Sequence, residues 1–272
     1  MNRRSFIACG SAGVTLTVMA RALAERNAFS PAAYERALII DAMGTIGDPD
    51  ATAPESPPSE RLLRDIRDSG VTAVSMTLSV GSTGDRLSKA LHRIATFDEK
   101  VAAAPDVLMG VRKFADLETA KRTGRLGLIY NVQDTSLLEN DLTRVARLHS
   151  LGLRQMQLTY NVRNLVGDGC LERGNAGLSN LGRALVTELG RVHVVMDLSH
   201  SGQRTIAEAI AEAKAPPIIS HTGCRDLTNH PRNVYDAELR ALAAKGGVVG
   251  IYFMPFPIWR SEERRVGKEC RS

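Results

Sequence analysis

Residues 192–233 read VHVVMDLSHSGQRTIAEAIAEAKAPPIISHTGCRDLTNHPRN and contain two apolar runs that each end in Ser-His. These pairs are Ser199-His200 and Ser220-His221, and the segment between them repeats its apolar residues at helical spacing. The pattern predicts a strand, a helix and a second strand, which together make one βαβ unit. Because the carboxyl ends of neighbouring parallel strands meet at one edge of a sheet, we expect the two histidines to lie within reach of one metal ion. The alternative is that each histidine makes ordinary hydrogen bonds at the end of its strand.

The rest of the chain alternates apolar runs with amphipathic segments. Besides the two runs that end in Ser-His, strands are predicted over residues 37–43, 71–80, 126–133, 153–160 and 248–253. Continuous apolar runs of this kind are typical of parallel strands buried on both faces. Seven such units favour a closed (β/α)8 barrel of the TIM type over an open doubly wound sheet. No Gly-x-Gly-x-x-Gly motif follows the first strand, which disfavours a nicotinamide-dependent oxidoreductase.

The first residues have the composition of an export signal. Paired arginines, Arg3 and Arg4, precede a weakly apolar run, and Ala22-Leu23-Ala24 suits a small-residue cleavage site. This arrangement resembles a twin-arginine signal, so we predict that residues 1–24 are a signal peptide read by the Tat export machinery. The mature protein would then begin near Glu25 in a bacterial periplasm. The apolar run is too short and too rich in Gly, Ser and Thr to predict a stable membrane anchor.

Charge and cysteine content exclude two classes of protein. The formal net charge is +5, but residues 1–30 carry +3 and residues 261–272 carry +1, so the body of the chain is close to neutral. This distribution lacks the concentrated basic face that nucleic-acid binding needs. The four cysteines show no metal-binding spacing, which excludes a zinc-finger type of site. Cys170 and Cys224 are either free thiols or a disulfide pair.

The C-terminal residues 260–272, RSEERRVGKECRS, form a dense run of charges without a helical or strand pattern. This run is either a solvated tail or foreign to the natural protein, and we interpret it as foreign sequence. The barrel would then occupy residues 25–259 and be truncated before its last strand. Since a barrel that lacks a strand exposes two open sheet edges, we expect this chain to be poorly soluble when expressed alone.

Four motifs follow one another in a fixed order: LTYN at 158–161, DLSH at 197–200, a second Ser-His at 220–221 and HPRN at 230–233. Together they make the chain, from about Leu38 to Phe256, resemble the membrane (renal) dipeptidase family of metallopeptidases. The resemblance implies an amidohydrolase-like (β/α)8 barrel and an enzyme that hydrolyses a dipeptide or a related amide. It also implies two zinc ions on five protein ligands, namely a His-x-Asp pair, a bridging Glu and two single histidines.

Three functional positions of that family are retained. The two single zinc-binding histidines fall on His200 and His221. Arg232, in the HPRN motif, falls on the arginine that grips the substrate carboxylate in the family, a task for which the guanidinium fork is suited. The resemblance therefore implies that the two histidines bind zinc and that Arg232 binds substrate.

The other family positions carry different residues. The His-x-Asp pair falls on Met43 and Thr45, the bridging Glu on Gln133, and a substrate-contacting His on Tyr160. A neutral amide neutralises two cations poorly, and a soft thioether does not suit zinc paired with oxygen ligands. Two histidines alone leave zinc short of its usual four ligands, so we expect at most one zinc ion. We assign Gln133 and Tyr160 as catalytic residues, with Tyr160 also contacting substrate and donating to the developing oxyanion.

Several side chains in the loops of the barrel rim are candidates for the missing ligands. They are Asp134, Asp168, Cys170 and Glu172. The alternative for each is a turn residue or a solvent-facing charge. Asp197, which opens the DLSH motif, is expected to be a structural partner of the site and not a ligand.

Two functions follow from this pattern. The first is a periplasmic, metal-dependent hydrolase of dipeptides or similar amides, whose partners are a small peptide or amide substrate and the export machinery; the sequence leaves a homodimer open. The second is a metal-free descendant of the same fold that binds peptides or performs a non-hydrolytic tailoring reaction. Metal content distinguishes the two functions.

Overall fold

The computed structural model describes residues 30–79 and 84–252. The predicted signal peptide at residues 1–24 and the charged run at 260–272 lie outside these described residues. Within them, no helix has both the length and the apolar character needed to cross a bilayer.

The chain divides into two units, Met1–Ile39 and Ile40–Ser272. In the first unit the described residues form helix α1 (Pro31–Arg36). Ser30 caps this helix, because its side chain accepts a hydrogen bond from Ala33 N at 3.1 Å. The apolar run that predicted a strand from residue 37 therefore enters the sheet only at the start of the second unit.

The second unit is built on one parallel sheet. Its strands are β1 (Ile40–Gly44), β2 (Ala73–Thr77), β3 (Leu108–Gly110), β4 (Leu126–Val132), β5 (Leu153–Gln157), β6 (Val195–Asp197), β7 (Ile218–Thr222) and β8 (Val248–Ile251). All neighbours pair in parallel, in the order β1-β2-β4-β5-β6-β7-β8. The short β3 pairs with the first half of β4, and β5 pairs with its second half. Because β7 also lies beside β1, the sheet curls until it almost closes, which confirms the predicted TIM-type (β/α)8 architecture.

Helices alternate with these strands. They are α2 (Glu60–Ser69), α3 (Arg86–Ala103), α4 (Phe114–Thr123), α5 (Thr143–Ser150), α6 (Asn180–Val192), α7 (Gln203–Glu212) and α8 (Asp236–Ala244). Ser179 caps α6, since its Oγ accepts a hydrogen bond from Gly182 N at 3.0 Å. The helix ends at Val192, because His193 takes the left-handed conformation that closes it.

The observed strands are shorter than the apolar runs that predicted them. Leu158 and Leu198 are fully buried, yet they follow the last paired residues of β5 and β6. Leu158 N still donates to Asp197 O at 3.1 Å, and Leu198 N donates to Ile218 O at 2.9 Å, so main-chain bonds and burial both extend one residue past the assigned strands.

Polar side chains lie buried on the interior side of four neighbouring strands. Asn131 Nδ2 donates to Ser75 Oγ at 2.8 Å, and Ser75 Oγ donates to Gln155 Oε1 at 2.8 Å. Gln155 Nε2 then donates to Asp197 Oδ2 at 2.9 Å. Since buried polar groups are costly unless paired, this chain of bonds specifies how β2, β4, β5 and β6 face one another. The chain of bonds ends at Asp197, the last residue of β6.

Candidate active site

The two predicted histidines meet at the carboxyl ends of β6 and β7. His200 follows β6, and His221 lies in the last part of β7. Their Nε2 atoms are 2.9 Å apart, and their ring centroids are 4.9 Å apart in an edge-to-face arrangement. The expectation that the βαβ unit brings these two imidazoles together is confirmed.

Hydrogen bonds to the other ring nitrogens determine the tautomers. His221 Nδ1 is 2.7 Å from Ser220 Oγ, whose own proton goes to Asp197 Oδ2, so the imidazole nitrogen is the donor. His200 Nδ1 is 2.7 Å from Asn161 Oδ1, and an amide oxygen only accepts. Both Nδ1 atoms therefore carry the ring proton, and both Nε2 atoms direct lone pairs at each other.

The electrostatic surroundings keep both rings neutral. Burial is the main cause that lowers the pKa of His200, and the charge of Arg232 and the neighbouring His221 lower it further. Burial and Arg232 also lower the pKa of His221, although the charge of Asp197 opposes them. Two neutral imidazoles with facing lone pairs repel one another unless a cation lies between them, so His200 and His221 are side chains that could hold a metal ion here.

Asp197 supports this arrangement from beneath. Its side chain is fully buried and accepts five hydrogen bonds. The donors are Gln155 Nε2, the main-chain nitrogens of Ser199 and Ser220, and the hydroxyls of the same two serines. As predicted, Asp197 is a structural partner: it reaches the ring of His221 only through Ser220.

Arg232 is a buried cation beside the histidines. Its side chain is 7% exposed, and its Nη2 donates to His221 O at 2.7 Å. Its guanidinium carbon lies 5.5 Å from the centre of the Tyr252 ring. Among the described residues, no carboxylate forms an ion pair with it. A buried guanidinium without an anion is costly, so this position favours an anionic group supplied by a ligand.

Tyr160 closes one side of the site. Its ring stacks on that of His200, with centroids 4.1 Å apart and planes at 23°. Its main-chain nitrogen donates to Asp134 Oδ2 at 3.1 Å, which ties the residue to the loop after β4. The structure thus brings together four of the five predicted site residues: His200, His221, Tyr160 and Arg232.

Gln133 is not joined to this group in the same way. Its main-chain nitrogen donates to Ser79 O at 2.9 Å, and its carbonyl accepts from Gln157 Nε2 at 2.7 Å. Within the described part of the chain, no hydrogen bond connects its side chain to the two histidines. Its assignment as a catalytic residue stays a prediction.

Comparison with known proteins agrees with this geometry. Residues 40–266 match the family model described as membrane dipeptidase (peptidase family M19). The chain belongs to the membrane dipeptidase family. The family resemblance inferred from the motifs is therefore confirmed, and the family is one of metallopeptidases.

Curated relatives are similar in sequence to this chain over part of their length. Dipeptidase verJ of Clonostachys rogersoniana is 36% identical over 138 residues, which cover 50% of this chain and 36% of verJ. Dipeptidase tcpJ of Claviceps purpurea is 30% identical over 146 residues, covering 53% of this chain and 34% of tcpJ. The chain thus spans about a third of the length of these curated relatives.

Two solved structures share the fold. An amidohydrolase from Pseudomonas aeruginosa has a TM-score of 0.70 at 33% identity, covering 80% of this chain and 63% of its own. A metallo peptidase from Rhodobacter sphaeroides, liganded with a phosphinate mimic of the dipeptide L-Ala-D-Ala, has a TM-score of 0.68 at 18% identity, covering 79% and 73%. At that identity the second structure supports the fold alone.

The rim carboxylates of this membrane dipeptidase homologue do not replace the missing ligands. Asp134 accepts hydrogen bonds from Ser136 N and Tyr160 N, and Asp168 forms an ion pair with Arg163 at 2.6 Å. Glu172 accepts from the main chain of Arg163 at 3.2 Å. Within residues 30–79 and 84–252, no group of three His, Cys, Asp or Glu side chains could hold a metal ion. The hypothesis of substitute ligands among these residues is wrong, because the carboxylates hold the loops together.

Met43, which stands at a ligand position of the family on the first strand, has a structural role in this protein. The sulfur of Met43 accepts a hydrogen bond from Thr77 Oγ1 at 3.3 Å, which places it at the far end of the interior polar chain.

Cys170 and Cys224 are free thiols, so the disulfide alternative is wrong. Burial raises the pKa of the Cys170 thiol, and its sulfur lies 3.5 Å from Asn161 Oδ1.

Sequence reasoning missed the residues that orient the two imidazoles. Ser220 and Asn161 bond the Nδ1 atoms, and Ser199 Oγ accepts from His221 N at 3.1 Å. The signal was present for the serines, since each histidine is preceded by a serine on an equivalent strand. For Asn161, only its place in the LTYN motif pointed to the site.

Proposed function

We propose that this chain is a metal-dependent hydrolase of dipeptides or closely related small amides, with one ion bound by His200 and His221. The observation that carries the proposal is the pair of Nε2 lone pairs converging within 2.9 Å of each other beside the buried Arg232, which forms no ion pair with the carboxylates of the described residues. Family membership supports the hydrolytic chemistry. The chain's partial coverage of its relatives leaves the activity and the substrate as proposals.

The donor set fits one ion and not two. Two imidazole nitrogens 2.9 Å apart can both ligate one ion at the usual zinc–nitrogen distance of about 2.0–2.1 Å. A second ion would need the carboxylate and imidazole ligands that Met43, Thr45 and Gln133 replace. With only two protein ligands, zinc would be held weakly and would keep open positions for water and substrate.

The residues of the site then have separate roles in hydrolysis. A divalent ion bound there would supply Lewis-acid polarisation of the amide carbonyl and a more acidic water. Arg232 binds the substrate carboxylate, since Nη2 is directed to His221 O and the rest of the fork remains for the ligand. Tyr160, stacked on His200, donates its hydroxyl proton toward the oxyanion that develops on the carbonyl oxygen.

Hydrolysis of Ala-Ala and Gly-dehydroPro with added zinc tests this proposal. Arg232→Met should lower kcat/KM for Ala-Ala by about 30-fold to 5,000-fold, because truncating one partner of a buried charge pair costs about 2–5 kcal/mol. Ala-Ala-amide, which lacks the carboxylate, should be cleaved equally by both proteins. Arg225→Met is a matched control, since that guanidinium lies over Tyr235 at 4.5 Å, bonded to Asn229.

One result would contradict the hydrolase, and another would contradict the role of Arg232. One is the absence of bound metal by elemental analysis together with no zinc-stimulated hydrolysis. The other is an equal loss of Ala-Ala and Ala-Ala-amide cleavage in Arg232→Met, which would remove the carboxylate-binding role.

We also infer that residues 1–24 direct export to the periplasm through a twin-arginine pathway. The support is Arg3-Arg4 ahead of the weakly apolar run and the Ala22-Leu23-Ala24 site. N-terminal sequencing of the exported protein should find a start near Glu25, and replacing both arginines with lysine should stop export. An intact N-terminus on exported protein would contradict the inference.

A further inference from the structure

Two site residues adopt a backbone conformation that side chains seldom take. Asn161, after β5, has φ 56°, and His200, after β6, has φ 63°. Asparagine and histidine adopt this left-handed region more often than most residues do, but at a cost that surrounding contacts must offset. The two residues are 39 positions apart, so the fold itself must hold them in register.

A third segment holds both residues from the same side. Cys170 N donates to His200 O at 2.8 Å, and Leu171 N donates to Asn161 O at 2.7 Å. Gly169 forms an isolated antiparallel β-bridge with Ser201, and a Cβ at Gly169 would collide with the main chain of Asn161. The loops after β5 and β6 are therefore fastened to each other through residues 169–171.

Side-chain hydrogen bonds also connect these loops, beside the ring of His200. Asn161 Oδ1 accepts from His200 Nδ1 at 2.7 Å and from Cys170 Sγ at 3.5 Å. The thiol hydrogen of Cys170 needs an acceptor, so it selects the oxygen end of the Asn161 amide. With its oxygen toward the ring, Asn161 admits only the His200 tautomer whose Nε2 is unprotonated.

We propose that Asn161 is a positioning residue that sets the tautomer of His200, with Cys170 orienting the Asn161 amide. Its consequence for catalysis rests on the proposed function, but the tautomer itself does not. The two imidazoles are thus prepared by different means. His221 is oriented through Ser220 by the buried carboxylate of Asp197, and His200 by a neutral amide carried on a neighbouring strand end.

The test is the tautomeric state of His200 in 15N-labelled protein stripped of metal, read from two-bond 1H–15N correlation spectra. The native protein should show the Nδ1–H tautomer. Asn161→Gly, which tolerates φ 56° but offers no acceptor, should convert His200 to the Nε2–H tautomer that donates to His221. Zinc affinity should fall by about 10-fold to 100-fold, as for other residues that orient metal-binding histidines.

Two variants complete the design. Asn161→Asp keeps an acceptor and should restore the Nδ1–H tautomer with zinc binding at least as tight as native. Asn164→Ala is the matched control, because Asn164 lies in the same loop but bonds Asp134 and Thr135. It should leave the tautomer of His200 unchanged.

The assignment fails if Asn161→Gly retains the Nδ1–H tautomer and native zinc affinity. If that variant does not fold, Asn161→Asp decides alone: loss of the Nδ1–H tautomer or weaker zinc binding would overturn the proposal. Because the spectra are recorded without metal or substrate, a native protein that hydrolyses nothing would overturn the proposed function while leaving this assignment in place.

Discussion

Replacement of Asp197 with alanine is expected to lower the free energy of unfolding by at least about 4 kcal/mol. The fully buried carboxylate accepts five hydrogen bonds from Gln155, Ser199 and Ser220, and the variant would leave every one of those donors without it. A buried donor without an acceptor costs about 1–3 kcal/mol, and a domain of this kind has only about 5–15 kcal/mol in total. Urea denaturation followed by circular dichroism measures the loss.

The matched control for this variant is Asp116→Ala. Asp116 accepts hydrogen bonds from Arg112 N at 2.7 Å and Lys113 N at 2.9 Å at the start of α4. Loss of such a cap costs about 1 kcal/mol, because water can replace the carboxylate at the helix end. If Asp197→Ala unfolds at the same urea concentration as Asp116→Ala, Asp197 does not hold β5, β6 and β7 together as its contacts indicate.

Replacement of His221 with alanine is expected to weaken zinc binding by at least about 100-fold, since structural zinc sites of four ligands bind with about 10–16 kcal/mol and one ligand carries about a quarter of that. The ring of His200 would keep its lone pair but lose the second nitrogen, 2.9 Å away, with which it would share the proposed ion. Isothermal titration of the chelator-treated protein with zinc measures the effect.

His92→Ala is the control for surface histidines. The His92 side chain is 65% exposed and pairs with Glu55 at 3.2 Å, and no hydrogen bond among the described residues joins it to His200 or His221. Its removal should leave zinc affinity unchanged. Native zinc affinity in His221→Ala would show that the ion, if bound, does not use the His200–His221 pair.

The positions of the two histidines were predictable because they depend on local regularities. A strand, a helix and a strand of the observed lengths place consecutive carboxyl ends at one rim whatever the other side chains are. The same regularity predicted the barrel and the alternation of its elements. It did not predict where β5 and β6 end, since the apolar runs continue through the buried Leu158 and Leu198, beyond the last residues of the two strands.

The side chains of the rim loops followed no such regularity. Asp134 and Asp168 had the chemistry of metal ligands, but the structure uses them to bind Ser136 N, Tyr160 N and Arg163. The direction of a loop side chain depends on which neighbouring loop offers a donor, and that partner lies far away in the sequence.

The sequence by itself determined the barrel, the family and the adjacency of His200 and His221, because strand period and strand order act within one βαβ unit. Only the tertiary structure decided how these imidazoles are oriented. Their tautomers depend on Asn161, 39 residues before His200, and on the carboxylate of Asp197, which lies 23 residues before Ser220. Hydrogen bonds over such separations form only when the packed strands bring their ends together, so no local pattern encodes them.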